Sequence, residues 1–264
     1  MREPAATPPV SGKTERPPWG AFFLSSADAA HSARLALERL WPREAFFDVL
    51  ERYVALLLEA NARVNLTRVI EPDAIARLHL LDALAALTLI GARGPIRAAD
   101  LGSGGGVPGL VLAIARPEIA WTLVDSVGKK AAILRDFADQ LSLENVSVVA
   151  ERAETLGRDA AHRERYDLVT ARACAPLPVL AELALPLLEQ GGQLLAWKGP
   201  LAADDPEVRA GNGVSSLLGG GEPRLVDAGH AALGGHRFVT IDKLTPTPPR
   251  FPRRPGEPAR RPLG

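Results

Sequence analysis

The chain has 264 residues, 47% of them hydrophobic, with 31 basic against 31 acidic side chains and a single cysteine. That length can bury most of its apolar surface in one domain with small appendages, and one cysteine excludes an intrachain disulfide. No uninterrupted apolar stretch reaches the length of a membrane span, and a start carrying Pro4, Pro8, Pro9, Pro17 and Pro18 does not read as a signal peptide, so a cytoplasmic protein is expected. In chain order, residues 1–25 are expected to form a disordered Pro-rich extension. Helices follow near 27–40, 43–62 and 72–90, making an N-terminal helical cap over residues 26–93. On the last of these helices His79 and Asp82 stand three apart and share a face, open either to an internal contact or to a bound substrate.

Residues 96–101 then read as a buried parallel strand, opening a doubly wound part over residues 94–245. The strand runs through Asp100-Leu101-Gly102-Ser103-Gly104-Gly105-Gly106-Val107-Pro108-Gly109 into a helix whose first turn suits Pro108. Glycines there allow backbone angles and close approaches that side chains forbid, so loop amides and the helix N-terminus can meet the polar part of a ligand. Gly104 to Gly109 satisfies the G-x-G-x-x-G pattern of dinucleotide sites, whereas Asp100 gives the acid-x-G-x-G-x-G form associated with S-adenosylmethionine. The pattern G-x-x-x-x-G-K-[ST] is missing from this loop, which argues against nucleoside triphosphate hydrolysis. A second strand over 120–125 ends in Asp125, placed for the two hydroxyls of a ribose and also as a cap for the helix over 126–141.

A third strand over 146–150 precedes Glu151-Arg152-Ala153-Glu154, and a fourth over 166–171 precedes Arg172-Ala173-Cys174. Ligands of doubly wound sheets bind outside the carboxyl ends of the strands, so these turns converge on one crevice and Glu154 and Arg172 join Gly102, Gly104 and Asp125 as candidates. Cys174 has no histidine near it in sequence and reads as a small buried hydrophobe. The five histidines lack ligand spacing, so no metal is expected. Further on come a helix over 179–188 interrupted by Pro186, a strand over 193–197, a flexible glycine-rich stretch over 211–221, and strands over 225–228 and 237–244. The end of the chain, with residues 246–264 as a basic Pro/Arg-rich tail, carries Lys243, Arg250, Arg253, Arg254, Arg260 and Arg261 against Glu257 alone, a surplus of five positive charges. Its prolines are expected to keep it extended, which suits a segment neutralising phosphates along RNA and equally suits disorder.

Five blocks carry a family resemblance: Asn65-Leu66-Thr67 with His79-Leu80-Leu81-Asp82; Asp100 to Gly109; Leu123-Val124-Asp125-Ser126-Val127-Gly128-Lys129-Lys130; Ala171-Arg172-Ala173 with Trp197-Lys198-Gly199; and Pro249-Arg250-Phe251-Pro252-Arg253-Arg254-Pro255-Gly256-Glu257-Pro258. In order and spacing they resemble the bacterial small-subunit ribosomal RNA guanine-N7 methyltransferase family, over residues 45–264. The resemblance implies an α/β fold of the class I (Rossmann-like) S-adenosyl-L-methionine-dependent methyltransferases, with a mostly parallel seven-stranded sheet, an antiparallel C-terminal hairpin and the N-terminal helical cap. It implies S-adenosyl-L-methionine as cofactor, 16S rRNA or the small ribosomal subunit as partner, and methyl transfer to guanine N7; a monomer is expected. Carried over residue by residue, Gly102, Val107, Ala153, Glu154 and Arg172 match cofactor positions, while His79, Asp82, Lys198, Arg253 and Arg254 are the candidates for substrate contact. Leu78 and Ala83 stand where the family usually has a basic residue and a serine, a departure that weakens any role given to this helix. Guanine N7 has an in-plane lone pair and no proton to lose, so neither a general base nor a nucleophile is expected. Two other readings compete. One is an NAD-dependent oxidoreductase, for which no hydride-transfer constellation is recognisable; the other is a non-catalytic rRNA-binding assembly factor, which would keep its function with a bulky residue at position 102.

Overall fold

The computed structural model describes residues 24–91 and 97–264, so the expected N-terminal extension up to residue 23 and the strand start at residue 96 lie outside the described residues. Helix α1 (Ser26–Glu38) begins where the Ser25 hydroxyl accepts from the Asp28 N–H, and α2 (Phe47–Asn61) buries Phe47, Leu50, Tyr53, Val54 and Leu57 on one face. From residue 72 to 90 the chain is helical in pieces: α3 (Pro72–Ile75), a π-helical turn (Ala76–Leu81), α4 (Asp82–Leu84) and α5 (Leu87–Ile90). The wide turn sits where His79 and Asp82 meet Arg172, in keeping with the tendency of π turns to occur at functional positions.

Seven strands follow: β1 (Arg97–Leu101), β2 (Ala120–Val124), β3 (Val146–Val149), β4 (Tyr166–Arg172), β5 (Leu188–Lys198), β6 (Arg224–Asp227) and β7 (Arg237–Asp242). Their order is β3-β2-β1-β4-β5-β7-β6, parallel as far as β5 and closed by the antiparallel pairs β5·β7 and β6·β7. This is the expected mostly parallel seven-stranded sheet with its antiparallel end. The connections carry α6 (Gly109–Ala115), α7 (Gly128–Gln140), α8 (Ala153–Leu156), α9 (Leu177–Ala184) and α10 (Pro206–Leu217), and α11 (Glu257–Arg260) lies in the tail. Strand residues alternate between two cores. Ala98, Leu123, Leu168 and Leu195 join a cluster with α1 to α7, whereas Ala99, Val169, Leu194 and Val239 join one with α8 to α10. Register then sets the strand ends level: Leu101 pairs with both Val124 and Ala171, Val124 with Val149, and Ala171 with Ala196.

Three expectations differ from the structure. The stretch over 211–221 is helical through Leu217, because Asp205 caps α10 and Gly211 lets it lie against α9, where an added Cβ would stand 2.6 Å from Leu177 Cδ2. The helix over 179–188 instead runs Leu177–Ala184, and Leu188 already belongs to β5, since Pro186 cannot continue the helical ladder. The tail does not lie extended: Phe251 and Thr247 are buried, and the segment packs on the α9 side of the sheet.

Candidate active site

Two adjacent cavities open beyond the level strand ends, separated by the turn Arg172-Ala173-Cys174-Ala175. The first encloses about 220 Å³ and is lined by Gly102, Asp125, Ala153 and Glu154 among polar or small groups, with Val179 and Leu183 supplying apolar wall. Its glycine loop is built from three sides. Gly102 has φ +71, a backbone region that favours glycine, and an added Cβ would stand 3.0 Å from Cys174 Cβ. Asp125 Oδ2 accepts from the Gly104 N–H at 2.9 Å while Oδ1 accepts from the Val127 N–H at 2.8 Å, so this carboxylate fixes the loop and the entry to α7 together. Each oxygen keeps a second lone pair for another donor. From the N-terminal helices, the Tyr53 hydroxyl donates to Gly105 O at 2.9 Å, and a Cβ added at Gly105 would stand 2.9 Å from Leu57 Cδ1.

Asp100 lies beneath this loop, fully buried, and does not line the cavity. Burial pushes its carboxyl up to about 6, opposed by hydrogen bonds from Thr170, Ser103 and Gly109. Val107 is half-buried against the core and lines neither cavity. Cys174 is exposed at the cavity wall rather than buried, because β4 ends at Arg172 and Ala173 turns the chain outward through φ +53. Desolvation, with the Asp100 carboxylate adding to it, pushes the Cys174 thiol up to about 11, so it holds its proton at neutral pH.

The second cavity encloses about 480 Å³ and is lined by Leu78, Asp82, Arg172, Trp197, Lys198 and His236, with Val69, Ala173 and Gly199. Asp82 is the hub. Its Oδ2 accepts from Arg172 Nη1 at 2.9 Å, its Oδ1 lies 3.0 Å from His236 Nδ1, and its backbone carbonyl accepts from Trp197 Nε1 at 2.9 Å. Arg172 also donates to Leu78 O at 2.6 Å. This places Arg172 on the second cavity, whereas Gly102, Asp125, Ala153 and Glu154 gather on the first. Lys198 Nζ donates to Glu207 Oε1 at 2.6 Å and to Ala175 O at 3.1 Å, which ties the two cavities together. Among the described residues no group of His, Cys, Asp and Glu could hold a metal ion.

His79 is buried in an internal contact and lines neither cavity. Arg172 Nη2 donates to its Nδ1 at 3.1 Å, so the ring proton sits on Nε2, which donates to Thr67 Oγ1 at 2.9 Å. Burial and the neighbouring Arg172 charge hold His79 down at about 4. Between that value and the ordinary histidine range near 6.5, the unfolded chain binds a proton that the folded chain does not, so stability falls as pH falls through this window. By pH 5 the expected loss from this group is about 2 kcal/mol. Thermal melts at pH 7 and pH 5 should show a larger drop for the wild type than for His79→Gln, which keeps one donor and one acceptor without a titrating ring. Equal drops would rule out His79 as the group responsible.

Of the basic tail residues, Lys243 is buried and Arg253 is paired with Glu182, while Arg250, Arg254, Arg260 and Arg261 are exposed. Tyr53, His236 and Ala259 escaped sequence reasoning, as did the place of Pro258, which with Ala259 lines the first cavity. No local signal marks them, since each lies far along the chain from the loop it serves.

The family model described as rRNA small subunit methyltransferase G matches residues 47–217. The ribosomal RNA small subunit methyltransferase G of Deinococcus deserti is 45% identical over 219 residues, covering 81% of this chain and 89% of the relative. The protein of the same name from Roseiflexus castenholzii is 47% identical over 215 residues, covering 80% and 89%. Among solved structures, the CurJ carbon methyltransferase matches with a TM-score of 0.50 at 16% identity, covering 82% of this chain and 68% of that one, a likeness of fold.

Proposed function

The chain belongs to the rRNA small subunit methyltransferase G family, and we propose that it methylates N7 of a guanine in 16S rRNA, with its first cavity holding the nucleoside end of S-adenosyl-L-methionine and its second receiving the base. It is an S-adenosyl-L-methionine-dependent methyltransferase acting on small-subunit ribosomal RNA. The observation that carries the division of labour is the level register of β1, β2, β4 and β5, which sets the two cavities side by side at one sheet edge. The residues present fit the cofactor. Asp125 has lone pairs left for ribose hydroxyls, Val179 and Leu183 offer apolar wall to an adenine, and Gly102 leaves open the space a side chain would fill.

When bound, the cofactor supplies an electrophilic methyl group on a sulfonium. Held against Asp125, Val179 and Leu183, it would offer that methyl to the N7 lone pair, with the thioether sulfur as leaving group. No proton moves, so the chain's own groups have to position and desolvate. Arg172, held by Asp82, Leu78 O and His79, forms one wall of the base cavity, and Lys198 another. Asp82, its oxygens engaged by Arg172 and His236, orients those groups and takes no proton. The exposed arginines of the tail offer phosphate contacts beside the cleft, Arg254 among them.

Small-subunit particles lacking the modification, incubated with methyl-labelled S-adenosyl-L-methionine, are expected to take label into one 16S guanine, detected by chain cleavage selective for N7-methylguanine. Label at another atom or base would overturn the N7 assignment. Cofactor binding with no labelling of RNA would favour the assembly-factor reading.

A further inference from the structure

The tail, expected to be basic and extended, is fastened by acidic side chains and by Arg163. Glu182, 1% exposed, receives Arg253 through its backbone N–H at 2.8 Å and through its guanidinium at both carboxylate oxygens. Arg163 donates to Phe251 O at 2.8 Å and to Thr247 O at 2.7 Å, and Glu164 accepts from the Thr247 N–H at 2.7 Å. Glu154 accepts from the Gly256 N–H at 2.7 Å. Gly256 has φ +79 and starts α11, which brings Pro258 and Ala259 into the lining of the first cavity beside Ala175, Val179 and Leu183.

These contacts tie one cavity to one segment. Glu154 lines the cavity on the sheet side and holds the tail with its side chain. We propose that residues 256–259 are part of the cofactor-binding site, forming a wall of the nucleoside pocket, so that cofactor binding and docking of the tail stabilise each other. This rests on reading the first cavity as the cofactor's. The ligand class is an adenine nucleoside, because the wall added by Pro258 and Ala259 is small and apolar and continues the surface of Val179 and Leu183. Linkage is reciprocal: whatever the docked tail adds to cofactor affinity, bound cofactor adds to tail docking. The engagement of Arg253 with Glu182 follows the same logic, since it anchors the segment that carries the wall.

The test is Ala259→Trp in the full-length chain, probed with S-adenosyl-L-homocysteine by calorimetric titration. Ala259 is exposed, so the ligand-free melting temperature should not change, while an indole placed in the pocket should weaken binding by about tenfold or more. In the wild type, saturating S-adenosyl-L-homocysteine should also slow hydrogen exchange at the amides of residues 256–261. An affinity of Ala259→Trp within about twofold of wild type would overturn the proposal while leaving the cavity's assignment intact. Absence of binding to the wild type would overturn the assignment of the cavity and the proposal with it.

Discussion

Replacing Gly102 by valine is expected to weaken S-adenosyl-L-homocysteine binding at least about 100-fold, a loss near 2.7 kcal/mol, and to leave a folded protein. The residue sits at φ +71, where an L side chain costs about 1–2 kcal/mol and a β-branched one is least tolerated. Relief requires the loop to move, but its neighbours are fixed: Gly104 is held by Asp125, and Gly105 by Tyr53 and Leu57. The remaining escape is outward into the cavity, past Cys174 Cβ at 3.0 Å, which fills the space the cofactor needs. Circular dichroism melts would confirm folding and calorimetry would read affinity. Binding within about threefold of wild type would show that this loop does not contact the cofactor. Retained ribosomal function together with lost binding would revive the assembly-factor reading.

Arg172→Met is expected to destabilise the protein by about 3–5 kcal/mol, because it strands Asp82 in the interior. The Asp82 side chain is 5% exposed, and Arg172 is its one permanently charged partner among the described residues. The substitution also removes donors from Leu78 O and from His79 Nδ1. Methylation should fall with stability, but the discriminating experiment is the double variant Arg172→Met with Asp82→Leu. With both charges gone, most of the loss should return, since well-packed apolar replacements of a buried pair are often close to neutral. Activity should not return with it, because Arg172 and Asp82 both line the second cavity, the proposed site of the base. A single-variant loss below about 1 kcal/mol would mean that the remaining His236 contact suffices to hold Asp82 in the interior.

The part of the site that resisted reading from sequence is the part made by distant pairs. Glycines, a strand before and a helix after, and an acid one strand later marked the first cavity, and Gly102, Asp125, Ala153 and Glu154 do line it. Position after β4 and the family resemblance both group Arg172 with them, yet its side chain turns to Asp82, 90 residues earlier. Lys243 and Arg253 count toward the basic surplus of the tail, whereas Lys243 is buried against backbone carbonyls and Arg253 meets Glu182. Charge counts along a chain carry no information about which acid a folded arginine will find.

The order of elements, the parallel sheet with its crevice and the glycine loop are legible from local chemistry: periodicity, turn residues and strand-to-helix spacing. The antiparallel end and the family followed from five short blocks whose order a fold of this kind constrains. Only packing shows that α2 clamps the glycine loop, that Asp82 gathers Arg172, His236 and Trp197, and that the tail folds back onto the first cavity. The physical reason is the range of the interactions. Backbone propensity acts over a few residues, whereas a buried carboxylate selects its partners by where packing brings them, across 71 residues for Glu182 and Arg253 and 102 for Glu154 and Gly256.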